Sequence, residues 1–381
     1  MLFTFVFVFF LCIQDQIAVQ CCQVVKDTEL MMAFLVHRHG DRAADISEIF
    51  LSENPSELYW KSHQYGFAHL TDIGKVRSFI LGQFIRRRYN QFLSSCYNSS
   101  EIFVRSTETN RTQMTAKIAF TAAYSSRELW SDDMELVPLE MTVTPASVDP
   151  NLSIRNCPEL KSYVSRMLTE DKFPKDMQMY DELMDKLSIN LTFNLNKNPL
   201  IPYMKLNVFT SEESVGMRLS NLDRRLLPTL RQGAGKAVNH LYGKQHYIPL
   251  EAGVLLKDFF DTADQIISGA TIPRLRVLSA HEFNVYAFTA ATRAVPKQGA
   301  PRYCSVYALE LRRCKKSGKY FVVPVYVKTP EEPEAFLEIE GCGVFCEYEK
   351  FRKLTAKNVM TEDQYRTRCL MNDSGSPVES T

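Results

Sequence analysis

The sequence predicts an α/β fold, in which a sheet carries polar side chains at its carboxyl edge. Residues 29–37 form an apolar run typical of a buried strand, and residues 101–105 form a second, shorter strand. A helix with Thr71 as its N-cap is predicted to run to about residue 89, and another helix spans about residues 109–124. A strand that leads into a helix, seen twice, indicates an α/β sheet with ligand groups beyond its strand ends.

The C-terminal half returns to strands. Residues 276–280 read as a buried strand, and residues 305–312 and 320–326 as a hairpin around the polar turn at 315–318. The stretch between the two strand-rich regions is rich in Leu, Met, Lys and Asp and has a largely helical pattern. It therefore reads as a helical unit inserted into the α/β core.

These patterns divide the chain into five segments. Residues 1–20 read as a signal peptide, because an apolar run too short to span a bilayer is followed by polar residues. The α/β core is assigned to residues 24–150 and 250–370, and the helical insertion, or cap, to residues 151–249. The polar tail 371–381 is expected to be disordered.

Composition excludes several classes of function. The 381 residues are 45% hydrophobic and 23% charged, as in ordinary globular proteins, and the net charge is only +1. Such a balance predicts no nucleic-acid partner and no attraction to an anionic membrane, so any binding of anions must be local. With no second apolar stretch long enough to span a membrane, the mature chain is expected to be secreted, or soluble in the lysosomal lumen.

The cysteines agree with an oxidising compartment. Nine remain once the leader is removed, an odd number that leaves at least one thiol free or paired between chains. Cys342 and Cys346 can close a tight loop, while zinc is disfavoured there because no second Cys or His pair accompanies them. Cys157 and Cys369 are candidates for a long-range disulfide. The pairing of five others stays open: Cys21, Cys22, Cys96, Cys304 and Cys314.

Glycosylation is expected on Asn-X-Ser/Thr sequons of a secreted chain. The candidates are Asn98, Asn151 and Asn190. A further sequon at Asn110 lies within a motif treated below and is not expected to be used.

The most informative motif is Arg38-His39-Gly40-Asp41-Arg42, directly after the first strand. It places one imidazole at the tip of the sheet between two guanidiniums, and arginine is well suited to holding oxyanions by bidentate hydrogen bonds. The glycine lets the backbone turn and a ligand approach closely. With no Ser or Cys nearby to act as nucleophile, the histidine itself is predicted to attack phosphorus.

Two further strand ends carry polar groups, Arg105-Ser106-Thr107 and His281-Glu282. In order and spacing, the three motifs resemble the histidine acid phosphatase family (clade 2 of the histidine phosphatase superfamily), and particularly its prostatic and lysosomal types. Residues 66–75 and 84–89 are similar to the first helix of that family. The resemblance covers about residues 30–370 and implies a phosphoglycerate-mutase-like three-layer sandwich with a smaller inserted helical domain.

The resemblance also implies a mechanism without metal or other cofactor. The substrate would be a phosphate monoester, the pH optimum acidic, and the molecule a homodimer. The implied roles are nucleophile for His39, proton donor for Glu282, and phosphate binding for Arg38, Arg42, Arg105 and His281.

One position departs from the pattern where chemistry is expected. The prostatic and lysosomal types usually have aspartate directly after the late histidine, where this chain has Glu282. The additional methylene moves the carboxyl group by roughly 1.5 Å. Two hypotheses follow: an acid phosphatase that works through Glu282, or a catalytically impaired relative that still binds phosphorylated ligands.

Overall fold

An eight-stranded sheet lies at the centre of the computed structural model. The residues described are 25–152, 156–169, 174–188 and 198–369. The expected signal peptide, the tail, Cys21, Cys22 and the sequon at Asn190 lie outside these residues.

Five of the ten strands in the described residues match the predicted ones closely, and the other five, each of two residues, were not predicted. In chain order they are β1 (Thr28–Arg38), β2 (Ile102–Ser106), β3 (Thr142–Val143), β4 (Leu275–Ala280), β5 (Ala294–Val295), β6 (Val306–Cys314), β7 (Tyr320–Val327), β8 (Ala335–Phe336), β9 (Glu338–Ile339) and β10 (Cys346–Glu347).

The α-helices surround the sheet. They are α1 (Pro55–Tyr65), α2 (Asp72–Tyr89), α3 (Asn110–Tyr124), α4 (Pro158–Leu168), α5 (Asp181–Leu187), α6 (Ile201–Ser214), α7 (Asn221–Tyr242), α8 (Ile248–Ile267), α9 (Glu282–Ala291), α10 (Tyr348–Thr355) and α11 (Glu362–Cys369).

The order of the strands determines where the motifs meet. It is β10-β7-β6-β1-β4-β2-β3, with β8 added beside β7. Strands β1, β4, β2 and β3 are parallel, whereas β6 and β7 form the predicted antiparallel hairpin. The carboxyl ends of parallel neighbours lie at one edge, so the residues after β1, β4 and β2 are brought together.

Strand β1 shows why three layers form. Phe34 and Val36 pack on one face of the sheet with side chains of α8 and α9, whereas Ala33 and Leu35 pack on the other with α2 and α3. A strand buried on both faces requires an unbroken apolar run, as residues 30–36 provide. The predicted α/β class and three-layer arrangement are confirmed.

Helices α4 to α7 occupy the segment assigned to the insertion. The described part of residues 151–249 contains no strand of the central sheet. Its apolar side chains, including Phe209 and Leu230, pack in a cluster that also contains Ala43 and Leu58 of the core segment. The division of the chain into domains therefore stays a prediction.

The loop after β1 packs directly on helix α2. A Cβ on Gly40 would lie 2.6 Å from the carbonyl oxygen of Gly74, and one on Gly74 would lie 2.0 Å from that of Asp41. The predicted N-cap is confirmed, because Thr71 Oγ1 accepts a hydrogen bond from the Gly74 amide at 3.2 Å. Gly40 is therefore required by backbone packing against the helix.

Both expected disulfides are present, Cys157–Cys369 and Cys342–Cys346. Cys314 is also disulfide-bonded, whereas Cys96 and Cys304 are free thiols.

The two glycosylation candidates among the described residues differ in exposure. Asn98 is exposed, in agreement with its proposed use. Asn151 is only 8% exposed, so the expectation of a glycan there does not fit this fold.

Candidate active site

His39 lines a cavity of 470 Å³ together with many polar side chains. It follows β1, and His281 follows the adjacent strand β4, which places the two ring centroids 5.4 Å apart. Thr107 follows β2, and its hydroxyl lies 3.1 Å from Nε2 of His281. The three predicted strand ends therefore meet at one edge.

Two hydrogen bonds define the tautomer of His39. Its Nδ1 lies 2.8 Å from the carbonyl oxygen of Gly40, which can only accept, so Nδ1 carries the proton. Its Nε2 accepts from Nε of Arg111 at 3.1 Å. Burial, followed by the charges of Arg111 and Arg38, lowers the pKa of His39 well below its ordinary value. The ring is neutral, with its Nε2 lone pair directed into the cavity.

Arg111 is the residue that sequence reasoning missed. It lies in the first turn of α3, one residue after Asn110, and lines the cavity beside His39. The sequence did contain one indication of its role. Arg111 lies at the start of a helix that follows a strand of the sheet, and the N-termini of such helices commonly bind anions.

Arg105 does not line this cavity. Its Nη2 donates to Oδ1 of the buried Asp149 at 2.6 Å and to Thr144 at 3.1 Å. The interpretation of Arg105 as a direct phosphate ligand is therefore corrected. Arg105 is the residue before the last of β2 and is held in an ion pair. Arg111 occupies the place beside His39 that was predicted for Arg105.

Arg42 is held in place by a local turn. Its guanidinium makes a bidentate ion pair with Glu48, at 2.6 and 3.0 Å. Glu48 belongs to the 3-10 turn Ile46–Leu51 and also accepts the backbone amide of Asp45 in a capping box. The motif and the following turn thus position Arg42 on the cavity wall.

Arg38 and Glu282 form a buried ion pair. Nε of Arg38 lies 3.0 Å from Oε2 of Glu282, an ionic contact without hydrogen-bond alignment. The guanidinium also donates to the carbonyl oxygen of Pro301 at 2.9 Å and to Asn207 Oδ1 at 3.3 Å, and lies 4.0 Å from the ring centroid of Tyr303. Arg38 is therefore fixed from several sides.

Helix α6 reaches into the site from the helical segment. The hydroxyl group of Tyr203 donates to Oε1 of Glu282, and Asn207 one turn later accepts from Arg38. Burial opposes ionisation of Glu282, but Arg38, then His281 and the Tyr203 hydrogen bond, outweigh it and lower the pKa to about 2. Glu282 is therefore a carboxylate in the ligand-free site.

One group of described residues offers metal-ligand geometry, namely His39, His281 and Glu282, whose ligand atoms lie within 4.8 Å of one another. The side chains of His39 and Glu282 already contact Arg111 and Arg38. With Arg42 on the same wall, the field at this point favours an anion over a cation.

Comparison with known proteins agrees with this geometry. Residues 29–322 match the histidine phosphatase superfamily (branch 2). The prostatic acid phosphatase of Bos taurus is 28% identical over 364 residues, covering 92% of this chain and 91% of its own. The human lysosomal acid phosphatase is 23% identical over 335 residues, covering 86% of this chain and 77% of its own.

A solved structure shows the same fold. The phytase from Citrobacter braakii superposes with a TM-score of 0.65 at 14% identity, covering 88% of this chain and 99% of its own. The chain belongs to the histidine phosphatase superfamily, branch 2, and is a phosphatase. Among the described residues, no helix has both the length and the apolar character needed to cross a membrane.

Proposed function

We propose that this protein hydrolyses phosphate monoesters through a phosphohistidine formed on His39. The observation that carries the proposal is the neutral His39 ring, whose Nδ1–H is donated to Gly40 and whose Nε2 accepts from Arg111 in a pocket that Arg42 also lines. A neutral, oriented imidazole is a competent nucleophile, and the guanidiniums supply the charge that phosphoryl transfer needs.

The reaction has two steps. Nε2 of His39 attacks phosphorus, the ester P–O bond breaks, and the leaving alkoxide takes a proton from Glu282. Water then attacks the phosphohistidine, Glu282 accepts a proton from it, and inorganic phosphate leaves as His39 is restored. Arg111, which donates to Nε2 in the free site, transfers its hydrogen bond to a phosphoryl oxygen once substrate binds.

The other roles follow from position. Arg38 and Arg42 bind the remaining oxygens, and His281 donates to the phosphoryl group, with Thr107 orienting its ring. Arg105 acts indirectly, because it holds Asp149, which itself lines the cavity.

The low pKa of Glu282 raises the question of where the proton comes from. A monoester loses its second proton near pH ~6, so below that pH the substrate brings one as a monoanion. The bound phosphate competes for Arg38, which weakens the ion pair that keeps Glu282 ionised and lets the proton pass to it. Activity is then expected to be highest at acidic pH and to fall above about pH 6.

Several expectations belong to the same proposal. Residues 1–20 act as a secretion signal, and the product is extracellular or lysosomal. The helical segment 151–249 acts as a cap, supported by the contacts of Tyr203 and Asn207 with the site. A homodimer stays an expectation that light scattering on the purified protein tests.

The decisive experiment is p-nitrophenyl phosphate hydrolysis by the mature chain from pH 3 to pH 8, beside His39→Ala. Turnover that survives chelators, peaks in acid and vanishes in the variant supports the proposal, and acid-quenched labelling with a ³²P-monoester should trap phosphohistidine only in the wild type. A folded wild type no faster than His39→Ala would leave phosphate binding without turnover as the function.

A further inference from the structure

A second cavity, of 990 Å³, shares only Tyr203 and Asn207 with the catalytic pocket. It lies between α6, α7, the loop at 297–303 and the end of β7. Its volume is at the upper end of the range for small-molecule sites. We call it the basic cleft, because of the charges that line it.

Cations outnumber carboxylates in the basic cleft. Besides Arg38, which pairs with Glu282, it is lined by six cationic side chains and three carboxylates. The cationic side chains are Arg77, Arg231, Lys236, Lys297, Arg302 and Lys328, and the carboxylates are Asp41, Asp176 and Glu213.

Three of the six cations are already paired. Arg77 contacts Asp41 and Glu331, Lys236 lies 3.8 Å from Asp176, and Arg302 lies 3.3 Å from Glu332. By contrast, Arg231, Lys297 and Lys328 form no ion pair with any residue that the structure describes. Of the lining carboxylates, Glu213 is likewise in no ion pair with a described residue, so the unpaired side chains of the cleft carry a net charge of +2.

Arg231 is the most informative of the three, because it is half-buried and lines the same cleft as a second arginine, Arg302. Burial and the charge of Arg302 lower its pKa, and Glu213 compensates only in part. A desolvated cation beside a like charge costs free energy, and a bound anion removes that cost. A fully hydrated surface arginine would show no such arrangement.

The unpaired cations come from three elements. Arg231 is on α7, Lys297 follows β5, and Lys328 directly follows β7. One phosphate group is small compared with a cavity of 990 Å³, whereas a ligand with several phosphate groups can contact cations on separate walls.

We propose that the basic cleft binds a small anion carrying two or more phosphate groups, at a site separate from the catalytic pocket. This inference does not rest on the proposed hydrolysis, because none of the three unpaired cations lines the pocket around His39.

The test is calorimetric titration of the full mature chain with methylenediphosphonate, whose P–C–P link resists hydrolysis, in 0.15 M salt to screen weak surface binding. We expect two equivalents per wild-type chain, one in each cavity. The double variant Arg231→Gln/Lys328→Gln should lose one equivalent, or at least about tenfold in its affinity. Arg42→Ala/Arg111→Ala should lose the other.

Hydrolysis of p-nitrophenyl phosphate separates the two cavities. The cleft variant should keep kcat/KM within about twofold, which also shows that it is folded, and the exposed Lys350→Gln should change neither binding nor activity. A single equivalent that survives in the cleft variant and disappears with Arg42→Ala/Arg111→Ala would overturn the proposal, as would no binding at all. Inorganic phosphate binding the cleft as tightly as the diphosphonate would contradict the requirement for two phosphate groups.

Discussion

Arg105 and Arg111 lie six residues apart, yet only Arg111 lines the pocket around His39. We expect Arg111→Ala to lower kcat/KM for p-nitrophenyl phosphate by about 10²–10³-fold, because it removes a charged donor to the transferring group. Arg105→Ala should keep kcat/KM within about threefold but lower the free energy of unfolding by about 3 kcal/mol, since the buried carboxylate of Asp149 loses its counter-charge. The reverse pattern in parallel kinetics and urea unfolding would restore Arg105 as the ligand.

Glu282 contacts Arg38 through one oxygen and Tyr203 through the other. Glu282→Asp draws the carboxylate back by roughly 1.5 Å, so both contacts cannot be kept. We expect kcat to fall by about 10–100-fold, because displacements of about 1 Å at a reacting group have costs of that order.

Glu282→Gln is the companion variant, because it keeps the length of the side chain but removes the carboxyl group that donates the proton. With alkyl phosphates, whose leaving groups most need protonation, Glu282→Gln should turn over more slowly than Glu282→Asp. Higher turnover in Glu282→Asp than in the wild type would instead mark the natural protein as impaired.

At the scale of elements, helix α6 connects the helical segment to the chemistry. Tyr203→Phe removes the hydrogen bond that favours ionised Glu282, so the pKa of Glu282 should rise. The low-pH limb of kcat/KM, measured from pH 2.5 to pH 6, should therefore move to higher pH. Tyr348→Phe is the matched control. The Tyr348 hydroxyl also donates to a carboxylate, that of Asp264, but Tyr348 lies on α10, outside the pocket around His39. An unchanged pH profile in Tyr203→Phe would show that Tyr203 does not control the ionisation of Glu282.

The elements themselves were largely predictable. Strand β1 is buried on both faces and reads as an unbroken apolar run, and α2 begins at the predicted N-cap Thr71. The hairpin of β6 and β7 is marked by the polar turn between two apolar runs. Hydrophobic periodicity and helix-capping residues are local features of the sequence, so they can be recognised without the tertiary structure.

At the scale of the whole molecule, buried carboxyl groups link stability to pH. Burial raises the pKa of Glu212 to about 7, against ~4.3 for an exposed glutamate. Between these values the folded state keeps a proton that the unfolded state has lost, so stability falls as pH rises through this window and levels off above it. Glu212→Gln should reduce the loss of Tm between pH 4.5 and pH 7.5, and the exposed neighbour Glu213→Gln should not. Equal pH slopes in both variants would contradict this role for Glu212.

The two disulfides that join described cysteines close loops of very different length. Cys157 and Cys369 are 212 residues apart in sequence, and Cys342 and Cys346 only 4. From loop-closure entropy, replacing the first pair by serine should cost about 5 kcal/mol of unfolding free energy and the second about 2 kcal/mol. Denaturant unfolding of the two double variants measures the difference, and equal losses would argue against the entropic account.

The sequence by itself determined the α/β class and the strand ends that carry the polar motifs, and it predicted His39, Arg38, Arg42, His281 and Glu282 as site residues. These follow from local patterns, from motifs contiguous in the chain and from the family resemblance that the motifs carry. Only the tertiary structure decided that Arg111 faces His39 while Arg105 pairs with Asp149, and that Tyr203 and Asn207 reach the site from the helical segment. The physical reason is that side-chain direction at a strand end, and contacts between residues 44 to 169 positions apart in the chain, depend on packing that no local pattern encodes.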